Sequence, residues 1–170
     1  VSLLYRYRSH FDEDATAFRQ LLGHWITSKA TAVTQQYQFL RLAQQYQLKE
    51  GVVLARKMLN AGGSSSYKVQ AMLTLGKLGT RDDVPFLEKQ VANNGRLAST
   101  GNKTMRKTCK LGDVALAICI VLSEQKLADF GFQNVQEGRP VNTSYVQYGF
   151  YSEQQRVAAR KKWETWRKSQ

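Results

Sequence analysis

The amino-acid sequence predicts an all-α protein, built as an α-solenoid of about three stacked helix pairs. Apolar residues recur at helical spacing along most of the 170 residues, and two prolines are the whole complement of that helix breaker. A pattern of two short amphipathic helices also occurs twice, in residues 37–59 and 68–91. Such a unit cannot bury its apolar face alone and must stack on its neighbours. We therefore expect a single domain over residues 1–170 that presents a surface.

The two units align when one is shifted along the chain by 33 residues. The shift matches apolar residues in pairs: Leu40 with Leu73, Leu42 with Leu75, Val53 with Phe86 and Leu54 with Leu87. We expect the helix pairs near residues 31–60, 66–93 and 112–131.

The first three helices are predicted over residues 12–27, 32–47 and 49–60. Asp12 can cap the first helix, and Leu22 and Trp25 lie on its apolar stripe. The glycine-rich segment 61–64 then ends the third helix.

The fourth and fifth helices are predicted over residues 67–78 and 82–92. Gly76 lies inside the fourth, where glycine costs about 1 kcal/mol relative to alanine, so we expect a close helix–helix approach there. Asp82 and Asp83 suit the positive N-terminal end of the fifth, and Pro85 is tolerated in its first turn. Capping therefore accounts for these carboxylates.

Residues 94–111 interrupt the helical pattern and are predicted to form an insertion, either a small β-hairpin or an ordered loop. Serine and threonine residues lie on both sides of Gly101 and Asn102, which suit a turn. Asp113 is then expected to cap the core helix, because the run VALAICIVL is apolar all round.

A C-terminal capping helix is predicted over residues 152–168. Ser152 and Gln155 form a capping-box pair at its start, and Trp163 and Trp166 share one face. Its cations, Arg156 among them, are expected on the other faces.

The segment KVQAMLTLGKLGTRDDVPFLEKQV (residues 68–91) resembles a HEAT repeat. The resemblance lies in the run AMLTLGKLG, the acidic turn and the Pro85-Phe86-Leu87 start of the second helix. Residues 37–59 match more loosely, since they lack the turn glycine and the proline, and GDVALAICIVLSEQ resembles the first helix of a further repeat. The stretch DVALAICIVLSEQKLADFGF and the terminal KKWETW are also similar to C-terminal HEAT-like domains of uncharacterised bacterial proteins. The resemblance implies a scaffold or binding surface and no reaction.

The net charge of +12 at pH 7 favours an anionic partner. The candidate binding residues lie on the insertion, on the C-terminal helix and in the aromatic segment between them: Arg96, Lys103, Arg106, Lys107, Lys110, Arg160, Lys161 and Tyr148. The alternative is that the cations form a solvated surface and the aromatic residues pack the last helix onto the rest.

We expect a non-enzymatic protein-interaction scaffold that binds an acidic protein. The alternative is nucleic-acid binding, with Tyr145, Tyr148 and Tyr151 stacking on bases. A third hypothesis is an enzyme whose site the sequence does not reveal.

No cofactor or metal site is expected. His10 and His24 lack the spacing of a metal or catalytic pair, and Cys109 and Cys119 form no CxxC motif. No apolar run reaches the roughly 18–20 residues that span a bilayer. The chain begins Val-Ser-Leu-Leu, so we expect a processed product or part of a longer protein, and no compartment is indicated.

Overall fold

The computed structural model describes residues 15–29, 33–102, 106–138, 141 and 144–170. The α-helices of these ranges are α1 (Ala15–Lys29), α2 (Val33–Tyr46), α3 (Glu50–Ala61), α4 (Ser65–Leu78), α5 (Val84–Val91), α6 (Leu111–Leu122) and α7 (Glu153–Lys168). Strands β1 (Arg96–Gly101) and β2 (Arg106–Lys110) form one sheet, and short 3-10 helices cover Arg81–Asp83, Leu127–Phe130 and Tyr145–Tyr148. A mainly helical fold is confirmed, and the insertion is a β-hairpin.

The helices are connected by successive packing. α3 packs along α4, and α5 packs along α6. α2 also contacts α4, and α4 contacts α6, so the first helices of the three predicted pairs lie side by side. In the third predicted pair, residues 127–130 form a 3-10 turn.

α6 is the centre of the core, as its continuous apolar sequence predicts. All twelve of its residues are buried, Cys119 among them. A Cβ placed on Gly76 of α4 would lie 3.2 Å from Ile118 Cγ2 and 2.8 Å from Val141 Cγ2. The predicted close approach at Gly76 is therefore confirmed.

The repeat alignment predicts the buried face of α3 only in part. Val53 is 61% exposed, whereas Leu54, aligned with Leu87, is buried. Gly51, Ala55 and Met58 share the buried face with Leu54. The aligned residues Leu54 and Leu87 are therefore both buried, whereas Val53 is exposed and its aligned residue Phe86 is half-buried.

The start of α5 is held by the predicted acidic turn. The Asp83 carboxylate accepts a hydrogen bond from the Thr80 backbone N–H at 2.9 Å, and Thr80 Oγ1 accepts one from the Asp82 N–H at 3.3 Å. The other oxygen of Asp83 accepts from Arg56 Nε of α3 at 2.6 Å. Asp83 is fully buried, so its role in the fold is structural.

α6 begins at Leu111, so the prediction that Asp113 is its N-cap is wrong. Two backbone bonds fix the earlier start, from Leu111 N to Gly95 O at 2.8 Å and from Gly112 N to Asn93 O at 2.9 Å. Asp113 lies in the first turn, where its carboxylate accepts from the Lys110 backbone N–H at 2.8 Å.

α7 closes over α5 and α6. Half of its predicted capping box is present: Gln155 N donates to Ser152 Oγ at 3.2 Å, but Gln155 Oε1 accepts from Tyr151 N at 3.1 Å, one residue before the N-cap. Trp163 is buried, and its Nε1 donates to Glu88 Oε1 of α5 at 3.1 Å. Arg167 Nε donates to the same oxygen at 2.8 Å. In the described part of the chain, no helix has the length and apolarity to cross a membrane.

Candidate binding surface

The hairpin sorts its side chains between the core and the solvent. β1 and β2 pair antiparallel, and successive side chains of β2 alternate between two faces. Lys107 and Cys109 are buried, whereas Arg106 is exposed and Lys110 is half-buried. The strand register therefore divides the basic residues of the insertion into an inner and an outer group.

The outer cations and the two hydroxyl residues between them form a surface that we call the basic hairpin face: Arg96, Ser99, Arg106, Thr108 and Lys110. Arg96 is exposed, and its guanidinium donates to Ser99 Oγ at 2.9 Å. Ser99 Oγ lies 3.3 Å from Thr108 Oγ1 across the two strands. The face thus presents cations together with hydroxyl groups that can donate hydrogen bonds to an anion.

Lys107 belongs to the inner group, and its hydrogen bonds hold the hairpin to the segment that follows α6. Its Nζ donates to the carbonyl oxygen of Gln133 at 2.8 Å and to that of Gln147. The ammonium also lies 5.8 Å from the centre of the Tyr151 ring. Burial lowers the pKa of Lys107. The Lys107 side chain is therefore buried and hydrogen-bonded within the protein, so it does not face a partner.

Tyr148 is likewise a core residue. It is 1% exposed and contacts Phe132 edge-on, with the ring centres 6.5 Å apart. Tyr145 is half-buried, and Tyr151 is exposed. The three tyrosines therefore do not form one open stacking platform.

A buried ion pair that the sequence reasoning missed joins α7 to α6 and the hairpin. Arg156 Nε donates to Asp113 Oδ1 at 2.7 Å, and its Nη2 donates to the Thr108 carbonyl at 2.9 Å. Glu153 Oε2 accepts a hydrogen bond from Arg156 Nη1 and a second one, at 3.0 Å, from Lys110 Nζ. The signal was the spacing of Arg156, Ala159 and Trp163, which places the arginine on the buried stripe of α7.

Burial and charge act in opposite directions on this network. Burial raises the pKa of Asp113, while the hydrogen bond from Arg156 opposes the rise. The hydrogen bond from Lys110 is the largest influence on Glu153 and lowers the pKa of that carboxyl. The first turn of α7 therefore carries its carboxylate in ionised form beside the basic hairpin face.

The remaining candidates lie further along α7 or outside the described residues. Arg160 is half-buried and donates weakly to Asn94 Oδ1 at 3.5 Å, next to the base of β1. Lys161 is exposed on another face of the helix. Lys103 lies outside the described residues. The structure thus places Arg96, Arg106 and Lys110 on one face of the hairpin, with Arg106 at the opposite end of the strands from the other two, and Lys161 lies apart from them.

Five of the ten acidic side chains in the described ranges are bound to other groups of the molecule. Four of them accept from basic partners in ion pairs: Asp83 from Arg56, Glu88 from Arg167, Asp113 from Arg156 and Glu153 from Lys110 and Arg156. A fifth, Glu137, accepts backbone N–H groups of Leu127 and Ala128, both at 2.8 Å. Because the chain has 25 lysines and arginines against 13 acids, and several acids are paired, an excess of positive charge lies on its surface.

The described residues offer little for nucleophilic or metal chemistry. Among them, no group of three or more His, Cys, Asp or Glu side chains is placed to hold a metal ion. Burial raises the pKa of Cys109 to about 12, and it raises that of Cys119 well above its usual value. Both cysteines are free thiols, and neither forms the thiolate that a nucleophile needs at neutral pH.

Comparison with known proteins gives no relative to set beside this geometry: no family model, curated protein or solved structure matches the chain. The resemblance to HEAT repeats therefore stays a prediction from the sequence.

Proposed function

We propose that this protein is a non-enzymatic interaction module whose basic hairpin face binds an acidic segment of another protein. The observation that carries the proposal is the division of charge between the inside and the outside of the molecule. Asp83 and Asp113 are consumed in buried ion pairs, whereas Arg96 and Arg106 project from one face of a two-stranded sheet. Carboxylates and arginines on such a face form charge-assisted, often bidentate hydrogen bonds.

A solenoid architecture is part of the same proposal. The side-by-side packing of α2, α4 and α6 supports it, and so does the helix-and-turn pattern that α2–α3 and α4–α5 share. In this arrangement the hairpin is an insertion between the second and third helix pairs. A rigid helical stack would then hold the basic hairpin face in a fixed orientation.

Nucleic acid is the second candidate partner, since the same cations would neutralise phosphates. The geometry favours protein. Stacking on bases needs open aromatic faces, but Tyr148 is buried and Tyr145 is half-buried. The burial of Lys107 also removes one of the cations that the hairpin was expected to offer.

The test measures binding of three fluorescent probes at near-physiological salt: a polyglutamate peptide, duplex DNA and single-stranded RNA. The test variant is the double charge reversal Arg96→Glu/Arg106→Glu. Its matched control is Arg41→Glu/Lys57→Glu, which reverses two exposed cations on α2 and α3. Circular dichroism and urea unfolding establish that both variants fold.

We expect the wild type to bind polyglutamate most tightly and the hairpin variant to lose at least about tenfold in affinity, equivalent to about 1.4 kcal/mol. The control should change little. Tighter binding of DNA or RNA, with a steep salt dependence, would show that the partner is a nucleic acid and not an acidic protein. Equal losses in the two variants would show a general charge effect and remove the hairpin from the account.

A further inference from the structure

The outer side of α7 carries an apolar groove that the basic hairpin face does not include. It has a volume of about 590 Å³ and lies between α7 and the 3-10 helix Leu127–Phe130. Its apolar lining is Phe130, Ala158 and Trp166, and its polar lining is Thr165, Ser169, one acid (Asp129) and two lysines. Residues 158, 161, 162, 165, 166 and 169 share one face of α7 at helical spacing.

The groove continues toward the N-terminus of α7. A second depression of about 420 Å³ is lined by Val157 and Ala158 together with Glu153 and Gln154. Val157 is 54% exposed, so this part of the helix leaves a large apolar side chain in solvent. From residue 157 to residue 169 the surface runs for about 18 Å, enough for five or six residues of an extended segment.

Lysines mark the edge of the groove. Lys161 and Lys162 line it, and both are exposed. Lys162 Nζ donates to the backbone carbonyl of Asp129 at 2.9 Å, which bridges the two walls. The Lys110–Glu153 ion pair at the first turn of α7 joins this helix to the basic hairpin face.

We propose that this groove, defined by Phe130, Ala158, Lys161, Lys162, Thr165 and Trp166, docks an acidic segment of a partner protein through one large apolar side chain. The apolar lining takes the anchor, and the lysine rim takes the flanking carboxylates. A second copy of this chain fits poorly, because its net charge of +12 would meet the same lysines. The inference rests on the proposed function and adds the anchor to the partner's description.

The test compares two labelled peptides at near-physiological salt by fluorescence anisotropy. One is polyglutamate, and the other has the same length and carries a single central tryptophan. Ala158→Lys fills the groove and adds one positive charge, and Ala61→Lys adds the same charge at an exposed alanine on α3 as its control. Lys161→Glu reverses the rim, and Lys57→Glu is its control on α3. Vesicles of phosphatidylserine form a further arm.

We expect the wild type to bind the tryptophan peptide about tenfold more tightly than polyglutamate, which corresponds to one well-buried anchor. Ala158→Lys should abolish this difference, and Lys161→Glu should weaken both peptides. Ala61→Lys and Lys57→Glu should retain the wild-type pattern.

The outcomes separate this inference from the proposed function. Equal affinity for the two peptides in the wild type, or an unchanged preference in Ala158→Lys, would overturn the groove while leaving acidic binding intact. If the wild-type protein binds neither peptide, both the groove proposal and the proposed function are wrong. Vesicle binding that Ala158→Lys removes, without any preference for the tryptophan peptide, would assign the groove to an anionic membrane surface.

Discussion

Arg156 shows how one residue can combine charge with burial. Both Arg156 and Asp113 have side chains that are almost completely removed from solvent, at 3% and 0% exposure. Taking such charges out of water costs several kcal/mol per ion in general, and partners must offset that cost. Asp113, Glu153 and the Thr108 carbonyl supply them, and the guanidinium also lies 5.7 Å from the Phe150 ring centre. The prediction that Arg156 lies on an outer face of α7 is wrong, because its spacing from Ala159 and Trp163 places it on the buried face. Asp113 and the Thr108 carbonyl lie more than 40 residues away in sequence and could not be predicted as its partners.

We expect Arg156→Met to lower the free energy of unfolding by about 3–5 kcal/mol, because Asp113 would be left buried without its cation. Urea unfolding followed by circular dichroism measures the change. The control Arg106→Met, which removes an exposed arginine from strand β2 of the hairpin, should alter the free energy of unfolding by no more than about 0.5 kcal/mol. Equal unfolding midpoints for the two variants would show that the buried pair contributes nothing specific.

The junction between α5 and the hairpin shows what limits prediction at the scale of an element. The helical periodicity located α6, and the N-cap residue Ser152 located the start of α7, because these signals are local in sequence. The start of α6 was misplaced because Gly95 and Asn93, two backbone acceptors outside the helix, determine it. Gly112 at this junction has no room for a side chain: a Cβ would lie 2.2 Å from the Val91 carbonyl oxygen.

We therefore expect Gly112→Ala to destabilise the protein by about 1–3 kcal/mol, since the added methyl must displace backbone. Gly76→Ala is the matched control: its added Cβ meets methyl groups of Val141 and Ile118, which can move more easily than a main chain. The two variants are compared by thermal and urea unfolding. The explanation is wrong if Gly76→Ala proves the more damaging of the two.

At the scale of the whole molecule, the distribution of charge could be predicted only in part. Composition alone yields a net charge of +12 and hence an anionic partner. Composition does not tell which cations are free, because the side-chain pairs Arg56–Asp83 and Arg167–Glu88 depend on how helices pack. The same packing removed Lys107 and Tyr148 from the predicted surface and left the α7 groove open, a feature for which the sequence carried no local signal.

The surplus of exposed cations should make stability increase with salt at low ionic strength. Raising the ionic strength from about 0.01 M to about 0.1 M shortens the Debye length from about 30 Å to about 10 Å. Self-repulsion of the basic surface then weakens, while the buried Arg156–Asp113 pair is screened much less. We expect the urea midpoint to rise over this range, and to rise less in Arg41→Glu/Lys57→Glu, whose net charge is lower. A fall in the wild-type midpoint would mean that surface ion pairs outweigh repulsion.

The anchoring of Lys107 has a consequence for the order in which the chain can be completed during synthesis. Its carbonyl acceptors, Gln133 and Gln147, follow it by 26 and 40 residues. Because the chain emerges N-terminus first, the hairpin is synthesised before those acceptors. The Lys107 ammonium therefore stays hydrated until Gln133 and Gln147 have emerged. Helices α2–α6 can form and pack during that interval, because all of them precede residue 133 in the chain and contact one another. The basic face would then reach its final orientation only after residue 147 has left the ribosome.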